Sequence, residues 1–320
     1  MRPSSDAVDA DRPTWHGPAG ASRKRPVNGR RAMLASMETE RTGPPGPAVA
    51  ERRADIAGLP IMWREAEPPR GGGHAPVLCL HGNPTDGDDF RSLLGRTGGL
   101  APDLPGFGGS AKPASFDYSI DGYADFLAAF VDHLGLERLS LVVHDWGGVG
   151  LALAQRRPQS IERLVIINSV PLLPGYGWHR WARIWRTPLL GELAMGFTTR
   201  FALRRALRQA FVTRGPHVDA LAERAWSHFD HGTQRAALKL YRSAPPEVLE
   251  RAGARLGDLE APALIVWGER DPYITTDFAH AYAKALGAPA RVRMVADAGH
   301  WPWIDRPELV DEIASFVREG

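Results

Sequence analysis

The seven residues VVHDWGG, at positions 142–148, decide the fold. They follow an apolar run at 139–143 that predicts a buried strand, and they lead into a pattern at 148–157 that predicts a helix. A tight strand-to-helix turn of this kind, called a nucleophile elbow, forces one side chain out above the carboxyl edge of a sheet. The outward residue is Asp145, where the common G-x-S-x-G pattern has serine.

An aspartate at this turn predicts a particular chemistry. A carboxylate is a weak nucleophile towards acyl groups, but it can displace a leaving group from sp³ carbon and become an ester itself. A histidine-activated water must then hydrolyse that ester. The candidate acid is Asp271, in WGERDP at 267–272, and the candidate base is His300, in AGHW at 298–301. Each follows a predicted strand, and catalytic triads use the order nucleophile, acid, histidine.

Strand-like and helix-like patterns alternate along the chain, which predicts an α/β fold with a mostly parallel sheet and helices on both faces. The predicted strands lie at 76–80, 100–104, 139–143, 164–167, 263–267 and 291–295. The predicted helices lie at 123–134, 148–157, 277–286 and 307–317. We predict a disordered tail at 1–50, a core formed by 51–170 and 261–320, and a helical cap inserted at 171–260.

Composition and charge exclude several classes of protein. The net charge is +2, but residues 1–36 carry +4, so we expect no nucleic-acid partner for the rest. The single cysteine, Cys79, excludes intramolecular disulfides and cysteine-based zinc sites, and its apolar neighbours predict a buried structural role. No run reaches the ~18 apolar residues of a membrane span, and there is no secretory signal. We therefore expect a cytoplasmic protein without a membrane partner.

Three motifs together resemble the α/β-hydrolases of the haloalkane dehalogenase and epoxide hydrolase group. They are HGNPT at 81–85, PDLPGFG at 102–108 and HDWG at 144–147, and the resemblance covers residues 50–318. It implies an α/β-hydrolase fold, a mostly parallel central sheet flanked by helices with an inserted helical cap, and no cofactor or metal. It also implies an oxyanion hole made of the backbone N–H groups of Asn83 and Trp146.

The resemblance leaves three functions open. Asn83 and Trp146 are similar to the side chains with which haloalkane dehalogenases hold the departing halide, so cleavage of a carbon–halogen bond in a small apolar substrate, with water as co-substrate, is the leading hypothesis. Epoxide hydrolysis is the alternative, with Tyr241 as the candidate cap proton donor. The partner tyrosine of that site aligns near 184–185, which has no hydroxyl, although Tyr176 lies eight residues before it. The third is a non-catalytic binding protein on this fold, which the complete set of triad candidates disfavours.

The cap segment carries two further features. Trp178, Trp181 and Trp185 follow helical spacing, which predicts that they share one face of a helix. Such a face more often packs a cap onto its core, and the alternative is that it lines an apolar substrate cavity. The segment 171–260 has a net charge of +6, which is typical of a solvated helix face. The oligomeric state stays open.

Overall fold

The structure, a computed structural model, describes residues 48–69 and 73–319. Eight strands form one sheet: β1 Ala50–Ile56, β2 Leu59–Ala66, β3 Val77–Leu80, β4 Gly99–Pro102, β5 Leu139–Asp145, β6 Ile161–Ser169, β7 Ala263–Gly268 and β8 Ala290–Val295. Their order in the sheet is β1-β2-β4-β3-β5-β6-β7-β8. The pairs β1–β2 and β2–β4 are antiparallel, and the pairs from β4 to β8 are parallel.

Helices connect the parallel strands. Those of the core are α1 Arg91–Thr97, α2 Ile120–His133, α3 Gly150–Arg156, α10 Asp277–Ala285, α11 Pro302–Asp305 and α12 Glu308–Arg318. Those between β6 and β7 are α4 Arg180–Arg186, α5 Leu190–Gly196, α6 Arg200–Gln209, α7 Pro216–Ser227, α8 His231–Ser243 and α9 Pro246–Ala252. Every residue of 171–260 is described, and none of them forms a strand.

The predicted α/β-hydrolase fold class is confirmed, and each predicted strand corresponds to one of β3–β8. The sequence analysis missed β1 and β2. The first reads AERRADI and exposes most of its side chains, because it is the edge of the sheet and pairs on one side only. The charged residues of β1 hide the alternation of apolar and polar side chains that marks a strand. Residues 1–47 of the predicted tail at 1–50 lie outside the described residues. The last residue of the predicted tail, Ala50, is the first residue of β1.

The central strands β3–β7 are mostly buried on both faces, which explains their continuous apolar runs. In β5, Leu141 and Val143 pack on one face towards α2, while Val142 packs on the other towards α12. Cys79, in β3, is fully buried on the second face, and burial raises the pKa of its thiol. The thiol is therefore protonated and inert. Among the described residues, no helix is long and apolar enough to cross a bilayer.

The helix after the elbow packs very closely against the sheet. A Cβ atom at Gly147 would overlap the backbone carbonyl oxygen of Leu80, in the neighbouring strand. Position 147 therefore requires glycine so that the strand-to-helix turn can sit against β3.

We predict that Gly147→Ala lowers the free energy of unfolding by about 1–3 kcal/mol, because β3 or the turn must shift to admit the methyl group. Denaturant unfolding measures this change. Gly95→Ala is the matched control, since Gly95 lies in α1 with open space around its Cα. That change should leave stability equal or higher by up to ~1 kcal/mol. Equal stability of the Gly147 variant and the wild type would contradict the close packing.

Candidate functional site

Asp145 stands at the tip of the turn in a strained backbone conformation. Its φ is 48° and its ψ is −121°, a combination that non-glycine residues rarely adopt. Two hydrogen bonds hold the turn. The carbonyl oxygen of Asp145 accepts them from the backbone N–H of Val170 at 3.0 Å and the hydroxyl of Ser169 at 3.2 Å. This conformation lifts the carboxylate away from the strand and towards the neighbouring loop.

Two backbone donors hold the carboxylate of Asp145, one from that loop and one from the turn itself. The N–H of Asn83 donates to Oδ2 at 2.9 Å, and the N–H of Trp146 also donates to the carboxylate. A side chain at Gly82 would overlap the carboxylate, so glycine is required for this approach. Burial raises the pKa of Asp145, while the charge of His300 and the two N–H donors oppose that effect.

His300 and Asp271 complete a continuous chain of polar contacts. Nε2 of His300 lies 3.7 Å from Oδ1 of Asp145, and its Nδ1 lies 2.7 Å from Oδ2 of Asp271. Asp271 also accepts a hydrogen bond at 2.7 Å from the side-chain amide of Asn168. Burial lowers the pKa of His300, but the charges of Asp271 and Asp145 and the hydrogen bond that His300 donates to Asp271 outweigh it, so the pKa is raised.

A second histidine, His144, holds the loop that carries His300 in place. The ring nitrogen Nε2 of His144 lies 2.8 Å from the carbonyl oxygen of His300. Burial lowers the pKa of His144 well below its usual value, so its ring is neutral. A neutral ring can donate a hydrogen bond from Nε2 to that carbonyl, which fixes the backbone of the loop that carries His300.

The triad candidates open into a cavity of about 360 Å³ beneath the cap. Its walls are mostly apolar and aromatic. Trp146 stacks on Trp178 with ring centroids 5.4 Å apart, and the edge of Tyr241 meets Trp146 at 5.0 Å. Tyr176 lines the same cavity. An enclosed apolar chamber with a few polar groups suits a small apolar molecule.

Known proteins resemble this chain over most of its length. A family model for the α/β hydrolase fold matches residues 75–307. A haloalkane dehalogenase of Mycolicibacterium paratuberculosis is 30% identical over 264 residues, which cover 75% of this chain and 83% of that protein. The chain belongs to the α/β-hydrolase superfamily.

Other relatives of this hydrolase carry different names. A cis-3-alkyl-4-alkyloxetan-2-one decarboxylase of Shewanella oneidensis is 30% identical over 78% of this chain and 83% of that protein. An epoxide hydrolase 3 of Xenopus tropicalis is 25% identical over 76% of this chain and 71% of that protein. The solved haloalkane dehalogenase DbeA of Bradyrhizobium elkani superposes with a TM-score of 0.72 at 26% identity, over 84% of this chain and 98% of that chain. These relatives place the hydrolase among the dehalogenases and epoxide hydrolases.

The structure brings every predicted site residue of the hydrolase to one place. Asp145, His300, Asn83 and Tyr241 all line the cavity, and Asp271 lies behind His300. Trp146 contacts the carboxylate through its backbone and the cap through its ring. The interpretation of the three cap tryptophans as one helix face is wrong, because α4 begins at Arg180, after Trp178.

The two residues whose backbone N–H groups hold the Asp145 carboxylate each carry a buried polar side-chain atom without a hydrogen-bond partner among the described residues. These atoms are the indole Nε1 of Trp146 and the amide Oδ1 of Asn83, and the hydroxyl of Tyr241 lies close to both side chains. Since the two ends of an amide are interchangeable by rotation, Asn83 can present its NH₂ group in the same place. Unpaired buried donors cost free energy, which a bound acceptor would recover.

The sequence analysis missed Asn168. It ends the apolar run of β6 in a left-handed conformation, φ 35°, and its Oδ1 accepts a hydrogen bond from the N–H of Gly268 at 2.9 Å. Its amide thereby joins the ends of β6 and β7 and supports Asp271. An asparagine directly after the apolar run at 164–167 was the available signal.

A buried charge network behind the loop at 81–85, which carries Asn83, also escaped the sequence predictions. We call this loop the oxyanion loop. Arg224, on cap helix α7, pairs with Asp86 at 3.1 Å and also with Asp89. Asp89 accepts a hydrogen bond at 3.1 Å from the indole of Trp301, the residue after His300. The network therefore ties the cap, the oxyanion loop and the histidine loop together. Each of these contacts joins residues at least 135 positions apart in the chain, and no local pattern connects them.

We predict opposite shifts in the pKa of His300 from two substitutions. Asn168→Asp adds a negative charge beside Asp271 and should raise this pKa by about one unit or more, whereas Asp271→Asn should lower it by a similar amount. Titration of His300 by NMR measures both. Because a base must be neutral, the first variant should need a higher pH for the step that uses His300. Shifts of the same sign in both variants would contradict the arrangement.

Proposed function

We propose that this hydrolase cleaves the carbon–halogen bond of a small apolar substrate through a covalent ester on Asp145. The observation that carries the proposal is the unpaired indole Nε1 of Trp146, together with the unpaired side-chain amide of Asn83, which lines the apolar cavity with Asp145. A buried indole N–H without an acceptor, beside an amide that can rotate to present its NH₂ group, suits an anion that appears only during the reaction, as a departing halide does.

The first step is displacement at carbon. Oδ2 of Asp145 is held by the N–H of Asn83, so Oδ1 is the oxygen that attacks. A carbon–oxygen bond to Oδ1 forms while the carbon–halogen bond breaks, and the halide leaves with the bonding electron pair. Trp146 and Asn83 donate hydrogen bonds to it. The apolar walls position the substrate and exclude water during this step.

The second step is hydrolysis of the ester. Nε2 of His300 takes a proton from a water molecule, whose oxygen attacks Cγ of Asp145. The negative charge that develops on Oδ2 is stabilised by the N–H groups of Asn83 and Trp146. The bond between Cγ and Oδ1 then breaks, and the alcohol leaves with Oδ1 and the proton from His300. Asp271 keeps Nδ1 of His300 protonated and orients the ring.

Epoxide hydrolysis is the second candidate, and the two cavity tyrosines favour it. Burial raises the pKa of Tyr176 and of Tyr241, and the charge of Asp145 adds to the effect in both. Both hydroxyls are therefore protonated near the nucleophile and can donate to an epoxide oxygen. Tyr176 supplies the partner that the sequence alignment placed at 184–185. A strained oxetan-2-one, the substrate class named for the Shewanella relative, belongs in the same test.

We predict that His300→Gln traps the ester. The variant retains a donor for Asp271 but cannot activate water, so the hydrolase should accumulate as a covalent adduct. Intact-protein mass spectrometry after incubation with a bromoalkane, an aryl epoxide or a dialkyl oxetan-2-one should show the mass of the bound alkyl group. The double variant Asp145→Ala/His300→Gln is the control and should show none. If the wild type turns a substrate over and the variant forms no adduct with it, the mechanism is wrong. If the wild type turns over none of the three, the chain is a binding protein on this fold.

We predict that two conservative substitutions separate the candidate functions. Trp146→Phe removes the indole donor and should lower halide release from the bromoalkane by about 100-fold, with a smaller effect on diol formation from the epoxide. Tyr241→Phe should lower diol formation from the epoxide strongly, with a smaller effect on halide release from the bromoalkane. Steady-state rates for both substrates measure the difference. Equal losses for both substrates in both variants would contradict the assignment of separate donors.

A further inference from the structure

The cap exposes an unusual concentration of apolar side chains. Among the described residues, the large apolar side chains that stand out into solvent all lie between positions 181 and 201. We call them the apolar patch: Trp181, Leu189, Leu190, Leu193, Phe197 and Phe201. Leu189, Phe197 and Phe201 are each at least 75% exposed. Exposed apolar groups clustered in this way mark an interaction surface.

The backbone of the patch is strained at its most prominent leucine. Leu189 has a φ of 67°, a backbone conformation that is strained for a residue other than glycine. The strain places a 78%-exposed leucine in water instead of in the core. Folding alone gains nothing from this arrangement, whereas a surface that covers Leu189 would bury it.

Positive charge surrounds the patch. Residues 180–208 contain seven arginines and one glutamate, so the +6 of the cap is concentrated in this segment. Arg200 pairs with Glu223, and Arg208 pairs with Asp219. Arg180 and Arg183 are exposed, and no carboxylate of the described part of the chain lies within ion-pair distance of either. An apolar face with a rim of free cations is typical of proteins that bind an anionic lipid surface.

The patch is continuous with the mouth of the cavity. Trp181 belongs to the patch and also lines the cavity, and the adjacent residues Ala194, Thr198 and Ala202 line it as well. A surface that covers the patch therefore sits directly over the entrance to the catalytic chamber.

We propose that the cap docks on a membrane surface rich in anionic phospholipid, with the apolar patch in the acyl–headgroup boundary and the arginines on the headgroups. A second copy of this chain is disfavoured as the occupant, because it would bring the same excess of arginines against the first. The proposal goes beyond the hydrolytic function and departs from our sequence-based expectation of no membrane partner. That expectation considered only spans and signals.

Vesicle binding by the full chain tests the proposal. The protein should sediment with vesicles of phosphatidylcholine and phosphatidylglycerol, and much less with phosphatidylcholine alone. Phe197→Ser/Phe201→Ser should reduce the partition coefficient by at least about tenfold with the melting temperature unchanged, because both side chains are already exposed. Arg180→Gln/Arg183→Gln should reduce binding to the anionic vesicles only. The matched control, Arg138→Gln/Arg270→Gln, removes the same charge from exposed positions of the core and should bind like the wild type.

Three outcomes would overturn the proposal. The first is an absence of binding to anionic vesicles. The second is vesicle binding that persists in the Phe197→Ser/Phe201→Ser variant. Such binding would be assigned to the basic segment 1–36 instead of the apolar patch. The third is a concentration-dependent dimer that the same variant abolishes, without vesicle binding, which would make the patch a contact between copies.

Discussion

The left-handed backbone of Asp145 is the constraint on which the rest of the site depends. A carboxylate lifted from the strand end at φ 48° can meet the N–H of Asn83 and the ring of His300 at once. The turn remains strained only because its surroundings hold it. Glycine at 147 lets it pack on β3, glycine at 82 admits the carboxylate, and β6 donates two hydrogen bonds to its carbonyl. The sheet therefore acts as the rigid frame that preorganises the nucleophile.

Electrostatics connects the nucleophile to the base. Burial alone favours a protonated Asp145, which could not attack, and the positive charge and N–H donors around it oppose that effect. The same pairing raises the pKa of His300. Formation of the ester removes the charge of Asp145 and with it one of the contributions that keep His300 protonated. The first step of the proposed reaction thus favours the neutral base that the second step requires.

Sequence reasoning recovered the parts of the molecule that local patterns encode. Apolar runs predicted β3–β7, since a strand buried on both faces has no polar alternation, and the elbow motif predicted the position of Asp145. The missing parts depend on contacts between distant segments. Edge strand β1 is masked by its charges, Asn168 acts through β7, Arg224 reaches the oxyanion loop from the cap, and Tyr176 enters the cavity from an irregular segment. The exposure of the apolar patch was equally invisible, because composition does not distinguish a buried leucine from one held in solvent.

The central claim is that Asp145, and not water, supplies the oxygen of the product. A single turnover in ¹⁸O-labelled water, with the hydrolase in excess over a bromoalkane or an epoxide that it converts, tests this claim most directly. The account predicts an unlabelled product and one ¹⁸O atom in the peptide that contains Asp145. A product that carries ¹⁸O from the first turnover, with an unlabelled Asp145, would contradict it.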